Sequence, residues 1–235
     1  MFDYCIIMAA GKGTRMNDLT ANCPKALVRV NNIPLISYTL DQISGKISFI
    51  AMTVSQTSDE LIKLAFEDNV NAVFNTSNKE NAWWIFNTVF KDINKPVLVL
   101  PCDNLTKINL QLLFFNYMKL GCPSCMLVPV QINKEIEGDY IRINESRILS
   151  IGRDIESDVY SSGIQVLNPF KINKLCGGLI NMDFLSVWDK LIEHSSLFCS
   201  DLHQYPWYSV NNVAQVKNAE ILLRNESIDL LSYKI

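Results

Sequence analysis

This sequence predicts an α/β protein: one domain over residues 1–235, an α/β/α sandwich on a mostly parallel central sheet with a small hairpin to one side. Three observations carry that expectation. Short apolar runs alternate with helical stretches along the first hundred residues, which is the pattern of right-handed crossovers between parallel strands. The length, with 49% hydrophobic residues, suits one full core. A glycine-containing loop leaves the first strand at its carboxyl end, where ligands sit in such sheets.

Tyr4-Cys5-Ile6-Ile7 is the first strand, apolar on both faces. Residues 17–23 are small and polar and read as a loop ending at Pro24. Leu27-Val28-Arg29-Val30 forms a short strand, Asn31-Asn32 a turn, and residues 35–44 an amphipathic helix through Leu35, Tyr38, Leu40 and Ile43. Strands follow at 47–54 and 70–74, with a helix over 61–66 capped by Ser58-Asp59 between them. Residues 75–81 are a polar connection into a helical stretch that begins at Ala82-Trp83-Trp84. Val97-Leu98-Val99-Leu100 is a buried central strand ending in Pro101-Cys102-Asp103-Asn104. A helix over 108–119 and a strand over 126–130 come next. The hairpin pairs 141–143 with 148–153 around Asn144-Glu145-Ser146. A helix over 182–197, a last sheet strand with its carboxyl-end turn over 207–212 and a closing helix over 213–224 complete the chain.

The richest stretch is Met8-Ala9-Ala10-Gly11-Lys12-Gly13-Thr14-Arg15-Met16, followed by Pro24-Lys25. Its backbone N–H groups and three nearby cations, Lys12, Arg15 and Lys25, suit an anion of several charges. The spacing excludes the P-loop pattern and, with Met16 where a third glycine is required, the dinucleotide fingerprint. Asp103 is an acid at the carboxyl end of a buried strand, a position that packing explains poorly.

These motifs resemble the nucleotidyltransferases that make NDP-sugars and CDP-alcohols, closely over residues 4–38 and loosely over the whole chain. The resemblance implies a Rossmann-like fold and nucleotide binding by Ala9, Ala10, Gly11, Lys12, Gly13, Thr14, Arg15 and Lys25. It also implies base contacts by Glu80, Asn81 and Ala82, although this chain departs there from the small-residue turn of the sugar-1-phosphate members. Trp84, Gly138, Arg153 and Gly163 fall in stretches that the family uses on the acceptor side; packing in the core is an equal reading of the tryptophan. Asp103 and Asn211, the latter in Val210-Asn211-Asn212, match the family's metal positions and imply Mg²⁺. Ser209 stands where many relatives have Asp.

The implied reaction is attack of a phosphate monoester on an NTP, with Arg15, Lys25 and Asp103 as its catalytic residues. The leading acceptor is a sugar 1-phosphate and the leading nucleotide UTP or CTP, for surface-polysaccharide or cell-envelope precursors. A CTP-dependent enzyme acting on phosphocholine or another phospho-alcohol is the alternative, favoured by the resemblance of Pro24-Lys25-Ala26-Leu27 and Gly152-Arg153-Asp154-Ile155. A regulatory subunit that only binds nucleotide is a third reading, disfavoured because Arg15, Lys25 and Asp103 are all present.

The net charge of −3 argues against nucleic acid as a partner. No apolar run approaches the ~18 residues of a membrane span, and residues 1–10 lack a basic leader, so a cytoplasmic location is expected. Seven scattered cysteines read as reduced thiols. A zinc site from Cys122, Cys125 and Cys199 with His203 is a remote alternative use of three of these cysteines. The sequence is compatible with a homo-oligomer and does not specify one.

Overall fold

The computed structural model describes residues 1–235 except 12, 22, 56–57, 178–180 and 226–235. In chain order the strands are β1 (Tyr4–Met8), β2 (Arg29–Val30), β3 (Ile33–Pro34), β4 (Phe49–Val54), β5 (Ala72–Asn75), β6 (Val97–Pro101) and β7 (Asn104–Thr106). There follow β8 (Cys125–Gln131), β9 (Tyr140–Asn144), β10 (Arg147–Gly152), β11 (Val159–Leu167), β12 (Leu197–Cys199) and β13 (Trp207–Ser209). The α-helices are α1 (Leu35–Ile43), α2 (Asp59–Glu67), α3 (Trp83–Asn87), α4 (Leu110–Lys119), α5 (Pro169–Cys176), α6 (Phe184–Glu193) and α7 (Val213–Arg224). The α/β class anticipated from the sequence holds.

Packing gathers the chain into two compact units, each built from three separate stretches. The first comprises Met1–Cys5, Asn78–Val99 and Asn109–His203; the second comprises Ile6–Ser77, Leu100–Ile108 and Gln204–Ile235.

In the second unit β4 and β5 run parallel, with Ala51 opposite Ala72 and Val54 opposite Asn75. The crossover between them is α2. Its Ser58 side chain accepts from the Leu61 N–H at 3.1 Å, the cap expected from the sequence. Helix α1 buries Leu35, Ile36, Leu40 and Ile43 completely or nearly so. The side chain of Gln42 on α1 clamps the segment after β7. It donates to the Thr106 carbonyl at 2.8 Å and accepts from the Ile108 N–H at 2.7 Å.

The strand expected at 207–212 is shorter and does not join the main sheet. Trp207–Ser209 pairs antiparallel with β7 in a separate two-stranded ladder, with Ser209 opposite Asn104. Each strand offers only three residues, too few to show a period of two in the sequence.

In the first unit β8 lies between β11, which it meets antiparallel, and β12, which it meets parallel. The hairpin of β9 and β10 forms as expected, with Arg147 opposite Asn144 and a register shift between Ile148 and Ser150. Helix α5 is an addition to the sequence reading. Its signal is local: Asn168 caps the helix by accepting from the Lys171 N–H at 3.0 Å, and Pro169 occupies the first turn. Helix α6 starts at Phe184 and ends at Glu193, shorter at both ends than expected. Asp183 caps it, and Ser195 at φ 52° turns the chain out of it.

Candidate active site

The anion-binding stretch, the acid after the buried strand and the late asparagine all lie in the second unit, and the fold brings them together there. Gly13 makes the first turn. It sits at φ 62°, and a Cβ at this position would come within 2.8 Å of Thr20 Cγ2 and 3.1 Å of Lys25 Cβ. The chain then enters a 3₁₀ helix over Thr14–Thr20, tied back by the Met16 N–H to the Gly13 carbonyl at 2.8 Å and by Thr20 Oγ1 to the same oxygen. Met16 is fully buried and anchors the turn, which leaves its neighbour Arg15 exposed.

Lys25 opens a second 3₁₀ turn, Lys25–Leu27, where the sequence suggested strand from Leu27 on. Pro24 precedes it with the φ that the turn requires, and Ala26 and Leu27 are buried. This anchoring draws Lys25 inward until only 7% of it is exposed. An amine so buried needs partners. Its Nζ donates to Asp103 Oδ2 in a close ion pair and to Asn211 Oδ1 at 2.9 Å. Arg15 Nη2 donates to the same Asn211 oxygen at 3.3 Å.

Backbone hydrogen bonds hold Asp103 and Asn211 at neighbouring positions. The Val210 N–H donates to the Asp103 carbonyl at 3.0 Å, extending the ladder of β7 and β13 to the two candidate residues. Asn211 is fixed at two more points. Its N–H donates to Gln215 Oε1 at 2.8 Å, and its Nδ2 donates to Ser209 Oγ at 2.9 Å. The Gln215 N–H in turn donates to Asn212 Oδ1, the cap of α7. Ser209 and Gln215 are both buried. Neither was assigned a role from the sequence. The spacing Asn212-x-x-Gln215 ahead of an apolar helix is the available signal for the second.

Cys102, between the strand and Asp103, is buried, and its thiol is pushed up to about 12, first by burial and then by the adjacent carboxylate. It is an inert core thiol under ordinary conditions.

The other expected site residues fall as follows. Ala9 lies buried after β1 and donates to the Thr53 carbonyl at 3.1 Å. Ala10 is half-buried, and Gly11 and Thr14 are exposed. Lys12 lies outside the described residues. Glu80, Asn81, Ala82, Trp84, Gly138, Arg153 and Gly163 all belong to the first unit. Glu80 and Asn81 are exposed; the Glu80 N–H donates to Asn181 Oδ1 and Asn81 Oδ1 accepts from the Phe184 N–H at 2.7 Å, so this connection is tied to the start of α6. Ala82 is buried and donates to the Met182 carbonyl.

Trp84 is a core residue and not a surface one: it is fully buried and meets Phe90 edge to face at 5.4 Å. Of the two roles open to it from the sequence, packing is the one its position supports. Trp83 is half-buried beneath Lys79. Gly138 lies against Tyr160, whose ring a Cβ there would approach to 2.7 Å. Arg153 is exposed beside Glu137 and Asp139. Gly163 takes φ 80° in the irregular stretch of β11 between Ser161 and Gln165.

Of the cysteines considered for zinc, Cys125 is buried and donates to Gln165 Oε1, and Cys122 lies against Met118. All seven thiols are free, and no group of three or more His, Cys, Asp or Glu with metal-binding geometry occurs among the described residues. No helix among them is long and apolar enough to cross a membrane.

A cation-lined glycine turn beside a carboxylate and an amide oxygen, on an α/β scaffold, defines a phosphate-handling transferase. A sequence profile described as nucleotidyl transferase matches residues 4–147, and the chain belongs to that family of enzymes. Among curated proteins it is similar to a choline-phosphate cytidylyltransferase of Streptococcus pneumoniae, with 23% identity over 94% of this chain and 99% of that one. It is also similar to a putative mannose-1-phosphate guanyltransferase of Sulfolobus acidocaldarius, with 25% identity over 77% of this chain and 52% of that one. Among solved structures, an inositol-1-phosphate CTP transferase from T. maritima superposes with a TM-score of 0.77 at 18% identity, covering 95% of this chain and 96% of that one. A putative glucose-1-phosphate thymidylyltransferase from Bacillus anthracis superposes at 0.79 with 13% identity, covering 99% and 97%.

Proposed function

We propose that this enzyme transfers a cytidylyl group from CTP to a phospho-alcohol, with phosphocholine as the first acceptor to test, and releases pyrophosphate. The observation that carries the chemistry is the cluster of Lys25, Arg15, Asp103 and Asn211. The observation that favours this acceptor over a sugar 1-phosphate is the end-to-end match with a choline-phosphate enzyme; the guanyltransferase is matched over about half its length. The thymidylyltransferase-like fold supports the sugar 1-phosphate as the second reading.

In the reaction an acceptor phosphate oxygen forms a new bond to the α-phosphorus. The bond from that phosphorus to the bridging oxygen breaks, and pyrophosphate leaves with the electron pair. The nucleophile is an anion at neutral pH, so the chain needs no strong base. The difficulty is bringing two anions together, and catalysis is then positioning and charge stabilisation. The glycine turn and Arg15 bind and orient the β- and γ-phosphates. Lys25 bears on the α-phosphate, where charge moves between reactant and leaving group.

Asp103 and Asn211 are the residues that would hold Mg²⁺. The fit is chemical: a carboxylate and an amide oxygen are hard donors, and in this structure the two already share a cation, the Lys25 ammonium. The ion, when bound, supplies positive charge to phosphate oxygens in a site with few protein ligands. The same part of the chain would thus supply both cations and cation ligands.

The deciding measurement is pyrophosphate release from CTP, UTP, dTTP, GTP and ATP, each with phosphocholine, inositol 1-phosphate and glucose 1-phosphate. CTP with phosphocholine should be fastest. Turnover only with a sugar 1-phosphate would move the assignment to the second reading, and no turnover with any pair would end both. Asp103→Ala with undiminished turnover would remove the proposed site.

A further inference from the structure

Ser209 ends β13 two residues before Asn211, and its hydroxyl meets the Asn211 side chain. We infer that Ser209 is a positioning residue that fixes which way the Asn211 amide faces. The inference rests on the nucleotidyl-transfer reading of this cluster. An asparagine side chain has one accepting and one donating end, and the two differ little in shape. Lys25 Nζ and Arg15 Nη2 both donate to Asn211 Oδ1, at 2.9 and 3.3 Å. The opposite end, Nδ2, therefore faces Ser209 and donates to its hydroxyl at 2.9 Å. Ser209 is buried, at 8% exposure, so no solvent shell substitutes freely for that acceptor. The main chain of Asn211 is held separately, by its N–H on Gln215. Ser209 thus bears on the last torsion from the Nδ2 end, while the two cations hold it at Oδ1.

Without the hydroxyl, Nδ2 loses its buried acceptor and the amide is held from the Oδ1 end alone, by Lys25 and Arg15, so it rocks more widely about that torsion and presents Oδ1 less well to a metal. An aspartate at 209 would also accept from Nδ2, but it would add a full negative charge beside a centre that here has one carboxylate, Asp103. Serine keeps the amide oriented and leaves that charge out. The site is thus poised to take its counter-charge from the nucleotide.

The experiment uses the full chain, labelled with ¹⁵N, with Ser209→Ala, Ser209→Thr and Ser209→Asp. The side-chain amide of Asn211 is identified by its loss in Asn211→Asp. Its protons should exchange slowly in the native protein and roughly 2- to 10-fold faster in Ser209→Ala, the worth of one net hydrogen bond. Slow exchange should return in Ser209→Thr or Ser209→Asp. In turnover, Ser209→Ala should raise KM for magnesium–nucleotide by a similar factor with a smaller change in kcat. The inference is overturned if Ser209→Ala leaves exchange and KM as in the native protein, or if neither accepting variant restores slow exchange. If the exchange pattern appears as expected but the native protein turns over no NTP, the positioning role stands and the catalytic reading falls.

Discussion

Replacing Lys25 by Met keeps the length and apolar stem of the side chain and deletes the charge between Asp103 and Asn211. Two opposite effects should follow. The first is on turnover: a charge-stabilising contact near the α-phosphate is lost, at a typical cost of ~10²–10³ in kcat. The second is on metal binding by the protein without nucleotide. In the native protein the ammonium already lies against Asp103 Oδ2 and, at 2.9 Å, Asn211 Oδ1, so a divalent ion must displace or repel it. Two unit charges 4 Å apart repel by about 1 kcal/mol even at the dielectric of water, hence about 2 kcal/mol for a divalent ion beside an ammonium. Relief of that repulsion is worth about 30-fold in affinity. Titration of Mn²⁺ followed by electron paramagnetic resonance reads this directly. Native protein should bind the ion weakly until CTP is added, and Lys25→Met should bind it about 30-fold tighter without CTP. A Lys25→Met protein that is folded by circular dichroism and binds Mn²⁺ no better than the native chain would refute the idea that this lysine occupies the place of the metal. The ion pair also has a structural share, because removing one partner leaves a carboxylate whose side chain is only 18% exposed. A loss of up to about 3 kcal/mol in stability is the expected ceiling.

Three further outcomes follow from particular positions. Gly13→Ala places a side chain on a backbone at φ 62° and against Thr20 and Lys25, and should cost about 1–3 kcal/mol in urea unfolding and raise KM for the nucleotide; an unchanged midpoint and KM would contradict the tight turn. Burial holds the His203 imidazole below its ordinary value of 6.5. Above pH 6.5 both folded and unfolded chains keep it neutral; below, the unfolded chain takes the proton more readily, so stability is lost as pH falls through the folded pKa. His203→Gln should flatten that acid limb in thermal melts, and an identical limb would show that carboxylates alone set it. Cys102, with its thiol pushed up to about 12, should resist iodoacetamide at about pH 8 in the folded protein and react only on unfolding; rapid labelling of the native state would show an opening at the Asp103 turn.

What was legible in the sequence is local. The strand Tyr4–Met8, the glycine turn after it and the acid just past Val97–Pro101 announce themselves by adjacent residues, and the cap Ser58 marks a helix start. What was not legible depends on distant partners. The short segments 104–106 and 207–209 become strands only by finding each other across about a hundred positions, and neither has a pattern of its own. Lys25 reads from its motif as an anion-binding cation, but not as a buried one; its burial follows from Ala26 and Leu27, which draw it inward. Trp84 offered two readings because an aromatic beside a polar connection suits a rim or a core, and only packing against Phe90 separates them. Ser209 touches Asn211 without leaving a mark in a single sequence, and Gln215 leaves only its spacing after Asn212.

The ladder between Asn104–Thr106 and Trp207–Ser209 has a consequence for how the candidate site tolerates change. The separation of Asp103 from Asn211 is set by main-chain bonds, the Val210 N–H on the Asp103 carbonyl and the pairing of Ser209 with Asn104. Every residue except proline supplies those atoms. The two side chains are thus held in register by groups that substitution leaves in place. The remaining freedom is rotation of each side chain about its own bonds. For Asp103 that rotation is harmless, since either carboxylate oxygen serves. For Asn211 it exchanges an acceptor for a donor; the buried Ser209 restrains it at Nδ2 and the two cations at Oδ1, while the buried Gln215 fixes the main-chain N–H. Selection on this cluster should therefore fall on the neighbours of the asparagine at least as hard as on those of the carboxylate. A saturation library read by turnover should find fewer active variants at 209 and 215 than at Thr106 or Tyr208, which are as deeply buried in the same ladder. Equal tolerance at all four positions would show that burial alone, and not the orientation of the amide, sets what this part of the chain accepts.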